Sequence, residues 1–243
     1  RMPQFQLHRP TTVDEAVALK KTMHNSYYIA GGTDMLPNLK HKLYPAEHLI
    51  SLAAIPNLTS VIQENDGSIT IGALTTIADL AVNATMTAHL PALAYAASVI
   101  AAPQHRTMGT IGGNIMLDTR CVYYNQTQQW RTALNYCLKC QGTYCHVLNS
   151  ERTCAAAQSA DTVPLLMAFN ATLSFVASGG AATLPIRDLY TNDGRLHRVH
   201  TLPKGAMVTS VRIPALSPNL RSTYIKIRQR SSIDYAQLAI GLT

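Results

Sequence analysis

YIAGGTDMLPNLK, residues 28–40, puts a short apolar run, Ser26-Tyr27-Tyr28-Ile29-Ala30, directly before Gly31-Gly32-Thr33-Asp34. The run reads as a buried strand, and paired glycines at its end let the backbone take positive φ and approach a ligand closely. Successive N–H groups can then point at an oxyanion, and Thr33 adds a hydroxyl donor. Gly109-Thr110-Ile111-Gly112-Gly113-Asn114 repeats the arrangement. Neither loop matches the Gly-x-Gly-x-x-Gly dinucleotide fingerprint or a P-loop. Either one alone is as readily a tight turn, but two in one domain leave a place between them for a diphosphate.

Around these loops helical and extended patterns alternate. Thr12 and Glu15 form a capping box for a helix that runs to about Met23 on the face Val13, Ala16, Val17, Leu19. Residues 48–55, HLISLAAI, and 68–76, SITIGALTT, read as strands. Helices follow at Ile77 to Val82 and at Pro91 to Ala101, the second with proline in its first turn. Further on, Thr162 to Phe169 reads as a short helix, Ala171 to Ala177 as a strand before a Gly179-Gly180 turn, and residues 207–214, MVTSVRIP, as another strand. The pattern is α/β or α+β, without internal repeats. The loop residues 215–219 mark a boundary, and residues 219–243 are expected to begin a second, incomplete domain that continues past Thr243.

At 243 residues the chain has room for one large or two modest domains. Its 47% apolar and 14% charged composition is that of a soluble globular protein with a weakly charged surface. The net charge of +7 comes from scattered basic residues with no aromatic-interleaved basic face, which argues against nucleic acid. No stretch reaches the about 18 continuous apolar residues of a membrane span, and the N-terminus has no signal-type apolar region. Arg1 ahead of Met2 reads as an added residue. The expected compartment is the cytoplasm, where clustered cysteines are more often a metal or redox site than a disulfide framework.

All five cysteines fall between Cys121 and Cys154, spaced C-x15-C-x2-C-x4-C-x8-C. Four thiolates hold either a structural zinc or an iron–sulfur cluster. Zinc modules usually show two close pairs, and only Cys137 and Cys140 make one; wider, irregular spacing on a long loop suits a cuboidal cluster. Cluster, zinc and unliganded or disulfide-bonded thiols all remain open on the pattern alone. His146 beside Cys145 is a candidate ligand or a neighbour of the ligands, and Tyr123, Tyr124, Trp130, Tyr136 and Tyr144 supply apolar filling. No Ser/His/Asp triad, paired catalytic carboxylates or His-Glu-x-x-His is present, so the chain is expected to lack a substrate-transforming site of its own.

The strings YIAGGTDMLPNLK, IGALTTIADL, PALAYAASVIAAPQHRTMGTIGGNI and SADTVPLLMAFNATL, in that order, resemble the flavin subunits of molybdenum hydroxylases, the xanthine dehydrogenase and carbon monoxide dehydrogenase family. The resemblance implies an α+β FAD-binding domain of the vanillyl-alcohol-oxidase (PCMH) type over residues 1–214, with two subdomains meeting near residue 57. It implies FAD contacts from Ile29, Ala30, Gly31, Gly32, Thr33, Asp34 and Met35, from Ile100, and from Thr110, Gly112, Gly113 and Asn114. Polar contacts are implied from Asp118 and Asp161, and one from Lys226, where YIKIRQRSSIDYAQL resembles the start of the family's C-terminal domain. Partner subunits are implied too: a large one with the molybdenum cofactor, a small one with [2Fe-2S] clusters, in a dimer of heterotrimers.

In most members a short connection joins TIGGN to the SAD-like motif, whereas here 46 residues separate Asn114 from Asp161. The excess, residues 119–156, resembles the insertion of the 4-hydroxybenzoyl-CoA reductase branch, through Asp118-Thr119-Arg120-Cys121, Tyr124-Asn125-Gln126, Trp130-Arg131, Tyr136-Cys137-Leu138-Lys139, Cys145-His146-Val147 and Cys154. That resemblance selects Cys121, Cys137, Cys145 and Cys154 as ligands of a [4Fe-4S] cluster and leaves Cys140 spare. It implies an electron-transfer subunit in which a low-potential ferredoxin feeds the cluster, FAD, the [2Fe-2S] clusters and molybdenum in turn, for reductive dehydroxylation of 4-hydroxybenzoyl-CoA to benzoyl-CoA. The basic surface fits an acidic donor. The alternatives are a hydroxylase flavin subunit with another aromatic or heterocyclic substrate, and a non-enzymatic zinc-stapled interaction module.

Overall fold

A computed structural model describes residues 2–195 and 199–243. Two sheets carry it. The first is parallel, in the order β1 (Gln6–His8), β3 (His48–Ser51), β2 (Ser26–Ile29). The second is antiparallel, in the order β4 (Val61–Gln63), β5 (Ile69–Gly72), β8 (Met207–Ile213), β6 (Thr172–Ala177), β7 (Gly180–Pro185). A hairpin of β9 (Thr223–Ile227) and β10 (Leu238–Leu242) closes the described chain.

The parallel sheet needs a crossover, which α1 (Val13–Thr22) supplies by burying Ala16 and Val17. Thr12 caps it by accepting from the Glu15 N–H at 3.2 Å, but Glu15 reaches back to the Thr11 N–H instead of Thr12, so only half of the expected box forms. Strand β3 stops at Ser51, short of Ile55, because Leu52 to Ile55 fold into a turn closed by the Ile55 N–H and the Leu52 carbonyl. Strand β5 stops at Gly72 because Thr76 caps α3 (Ile77–Val82).

Helices α3, α4 (Ala84–His89) and α5 (Pro91–Ser98) pack with α6 (Pro103–Arg106), α7 (Ile111–Ile115) and α9 (Val163–Ala168) around the antiparallel sheet. Leu80, Met86, Leu90, Leu93, Ile111, Ile115, Leu165, Leu166 and Val211 form the fully buried centre of this core. The helix expected to reach Ala101 ends at Ser98. The freed carbonyls of Val99, Ile100 and Ala101 are taken by Lys226, Arg228 and Arg106, and Ala101 adopts a φ of +41°. The short strands β1, β4 and β7 carry too little apolar alternation to be seen in sequence.

The hairpin is not free-standing. Tyr224 is in the main core, its hydroxyl donating to Asp161 at 2.7 Å, and Lys226 reaches the same carboxylate at 2.9 Å.

Two short helices remain, α2 (Met35–Lys40) after the first glycine loop and α8 (Gln128–Ala133) inside the cysteine insertion. The first packs in a separate apolar cluster in which Leu39, Leu43, Tyr44 and Leu49 meet Tyr124, Cys137 and Cys140 of the insertion.

Candidate functional site: a glycine-walled cleft beside a thiol pocket

The two glycine loops meet. A Cβ on Gly31 would run into the Met108 carbonyl, so only glycine lets the β2–α2 loop lie against the residue preceding Gly109. Gly32 takes a φ of +71°, the left-handed turn that carries the chain from the strand into α2. The second loop is pinned by Thr110, whose hydroxyl accepts from the Gly113 N–H at 3.1 Å, and by the Gly112 N–H bonded to the Ala73 carbonyl at 2.9 Å.

Between them opens a cleft of about 470 Å³. Its walls include Ile29 to Met35, Ile100, Thr110, Gly112, Gly113, Asn114, Asp161 and Lys226, and so hold every flavin-site residue expected from sequence except Asp118. The Asp118 carboxylate faces the insertion, where it accepts from Lys139 at 2.7 Å and from the Tyr44 hydroxyl at 3.2 Å. It neutralises a buried lysine, and that is why it does not reach the cleft. Residues that motif reading missed also line the cleft, among them Arg120, Ser159, Asp234 and Tyr235. Arg120 binds the Asp34 carboxylate and stacks on Tyr235 at 4.4 Å. Burial pushes the Asp34 carboxyl up, with Arg120 pulling it partly back.

The cleft fits an extended polar ligand with an apolar part. Ser159 Oγ and Arg120 Nε are buried there with no protein partner, which leaves donors for ligand oxygens. Ile29, Met35, Leu52, Leu74 and Met207 supply flat apolar wall.

The second feature is a small pocket ringed by Cys121, Cys137, Cys145 and Cys154, with Tyr123, Lys139, His146 and Val147. Cys140 is not on its wall and packs in the apolar cluster under α2. Among the described residues no disulfide is formed, and no three His, Cys, Asp or Glu groups lie close enough to chelate a single ion. The pocket is held by turns: the Cys140 and Gly142 N–H groups both bond the Cys137 carbonyl, and Cys145 exchanges backbone bonds with Ser150. Lys139 is almost wholly buried, donating to Asp118, to Thr119 at 2.9 Å and to the Gly194 carbonyl at 2.6 Å.

The thiols differ. Burial pushes Cys137 and Cys154 up, the latter partly offset by Lys139. Burial also pushes Cys145 up, but the N–H groups of Ala155, Leu148 and Val147 outweigh it, and its net shift is down. His146 stacks beside Tyr123 with centroids 5.1 Å apart and bonds the Tyr136 carbonyl at 2.6 Å, an anchoring role.

The two sites are adjacent in the chain. Arg120 is on the cleft wall, Cys121 is on the pocket wall, and Arg120 pairs with Ala157 through both backbone bonds, which closes the root of the insertion.

Residues 3–216 match the model of the FAD binding domain in molybdopterin dehydrogenase. The carbon monoxide dehydrogenase medium chain of Hydrogenophaga pseudoflava is 43% identical over 114 residues, covering 46% of this chain and 39% of the relative. The xanthine dehydrogenase FAD-binding subunit of Escherichia coli O157:H7 is 26% identical over 231 residues, covering 95% of this chain and 65% of the relative. Among solved structures, a reconstituted CO dehydrogenase from Oligotropha carboxidovorans superposes with a TM-score of 0.75 at 26% identity, covering 98% of this chain and 68% of that one. The chain spans less than two thirds of the length of these two sequence relatives. No helix among the described residues is long and apolar enough to cross a membrane. An antiparallel sheet and a parallel sheet flanking a glycine-walled cleft, together with the match over residues 3–216, place this chain in the FAD-binding (medium) subunit family of the molybdenum hydroxylases.

Proposed function

We propose that the chain is the FAD- and [4Fe-4S]-containing electron-transfer subunit of a molybdenum enzyme, with the cluster held by Cys121, Cys137, Cys145 and Cys154. The observation that carries this reading is the pocket itself: four of five thiols ring one cavity while the fifth is packed in an apolar cluster. Donors to the sulfurs support it. The Ala156 N–H reaches Cys154 Sγ at 3.4 Å, and three N–H groups favour the Cys145 thiolate, an arrangement that stabilises a negatively charged sulfur-ligated centre. The buried Lys139 adds a cation beside it, although Asp118 largely neutralises that charge.

For FAD we assign the diphosphate to the loops Gly31–Asp34 and Thr110–Asn114, with Ser159 and Arg120 as further donors. Asp161 and Lys226 hold the β9–β10 hairpin over the cleft. Bound there, FAD would supply two-electron and one-electron redox chemistry, and the cluster single-electron transfer. The chain's own residues would hold the two groups near each other, with Arg120 on the cleft wall next to Cys121 on the pocket wall, and Tyr123, Val147 and the buried Lys139 complete the lining of the thiol pocket.

The partners in this reading are the family's large molybdenum subunit and small [2Fe-2S] subunit, with a dimer of heterotrimers as the proposed assembly and, from the reductase-like insertion, a ferredoxin-like donor. The insertion, by its resemblance, favours reductive dehydroxylation of 4-hydroxybenzoyl-CoA to benzoyl-CoA. A second reading, a hydroxylase acting on another substrate, is favoured by the 43% identity to a carbon monoxide dehydrogenase medium chain. Copurification with the partner subunits, iron and sulfide analysis, and assay with hydroxybenzoyl-CoA and a strong reductant separate the two. About four irons and four sulfides per chain with dehydroxylation support the first reading. A chain with FAD and no iron, in an enzyme that oxidises its substrate, supports the second.

A further inference from the structure

Helix α2 joins the cleft to the insertion, and the insertion grips it at both ends. At its start, Asp34 is bound by Arg120, the residue at the root of the insertion, and also accepts from Asn38 Nδ2 at 2.9 Å. At its end, Arg131 of α8, only 3% exposed, donates to the carbonyls of His41 at 3.1 Å and Lys42 at 3.0 Å and to Gln126 within its own segment. Along its side, Leu39 packs with Tyr124, and both are fully buried.

The helix has little of its own to hold it. It is six residues long, contains Pro37, and has no side-chain cap on its first turn. Helices that short do not persist without tertiary packing. Its carboxyl end would leave orphan carbonyls if Arg131 withdrew, and a cation there also complements the helix dipole. Yet the residues just before it, Gly32 to Asp34, form the wall of the cleft.

We propose that the insertion sets the affinity of the cleft for FAD through α2, with Arg131 as the positioning residue, so that flavin binding and occupancy of the thiol pocket are thermodynamically coupled. This rests on the reading that the cleft takes FAD and the pocket a [4Fe-4S] cluster. Coupling free energies of this kind typically amount to five- to 150-fold in affinity, and they act equally in both directions. Filling the pocket would order the insertion, hold α2 and tighten FAD; bound FAD would in turn slow loss of iron.

The test uses the full chain stripped of FAD, with and without anaerobic reconstitution by ferrous iron and sulfide, and titrates FAD by quenching of flavin fluorescence. In the iron-free chain, Arg131→Gln should weaken FAD about tenfold and Arg131→Lys less, because an ammonium still reaches a carbonyl. Hydrogen exchange should rise at residues 35–43 and stay unchanged in β5, a pattern that general destabilisation would not produce. Equal FAD affinity in wild type and Arg131→Gln overturns the proposal. In the reconstituted wild type FAD should tighten several-fold, and in Arg131→Gln it should not. Iron that loads without moving the FAD affinity also overturns the coupling. A pocket that takes up no iron sinks the cluster reading instead, and the iron-free comparison then decides the role of Arg131.

Discussion

The cleft and the thiol pocket are neighbours, yet they are built by opposite means. The cleft lies where regular elements end: β2 delivers Gly31 and Gly32, the β5–α3 region supports Thr110 to Gly112, and helices bury apolar side chains behind both loops. The pocket is made of turns, with one six-residue helix and positive φ at Asn135, Tyr136, Gln141 and Asn149. Its order comes from a buried lysine, a buried arginine and one fully buried tyrosine, not from a ladder of backbone bonds. A scaffolded site keeps its shape without ligand, whereas a loop-built site depends on what it binds and on a few polar anchors.

That contrast can be broken most sharply at the sulfurs. Cys121→Ser should abolish the cluster, while Cys140→Ser, altering a thiol outside the pocket, should leave iron, sulfide and the EPR signal of the reduced chain intact. Loss of the cluster in the Cys140 variant would sink the ligand assignment.

The next effect is on the cleft's closing hairpin. Lys226→Met leaves the Asp161 carboxylate buried with only the Tyr224 hydroxyl, which should cost about 3–4 kcal/mol of stability and free β9–β10, read as a lowered thermal midpoint and faster exchange in residues 223–242. Tyr224→Phe removes one hydrogen bond to a charged group and should cost about 1.5–3 kcal/mol in the same measurement.

Gly31→Ala sharpens the comparison from the cleft side. Its Cβ would meet the Met108 carbonyl, and overpacking of this kind costs about 1–3 kcal/mol, so FAD should bind roughly tenfold to 100-fold more weakly. Gly31 is not on the thiol pocket wall, so the cluster should still assemble, but with FAD weakened it should lose iron faster than the wild type, as the coupling through α2 requires.

The smallest effect at neutral pH lies under the insertion. Burial holds the His200 imidazole down to about 4, with Asp118 pulling it up and Lys139 pushing it down. A histidine depressed in the folded state contributes stability that is complete above its ordinary value near 6.5 and is lost as the pH falls towards 4. His200→Leu should leave neutral stability little changed and remove one proton's slope between those values, up to about 3 kcal/mol. A variant with the wild-type acid limb would show that His200 does not titrate against the fold.

Much of this was legible beforehand because the deciding signals are local. Paired glycines after an apolar run, the Thr12 cap, and five cysteines in one segment each carry their meaning within a few residues. The place of Asp118 off the cleft wall could not be read in the same way. Its neighbour in sequence is the cleft wall, but its partner is Lys139, 21 positions on, and no spacing rule announces a buried ion pair between two loop residues. Arg120 and Ser159 went unnoticed for the same reason, since isolated polar residues gain meaning only from what surrounds them.

The amino-acid sequence by itself determined that the chain carries two glycine loops and a cysteine-rich insertion, because those are set by residue type and short spacing; FAD entered through the resemblance to a family. The tertiary structure alone decided which thiols share a pocket, which carboxylate faces the cleft, and that α2 is held by Arg120 and Arg131 at opposite ends. Those outcomes depend on pairings between segments far apart in the chain, where burial and charge neutralisation, not local preference, select the partner.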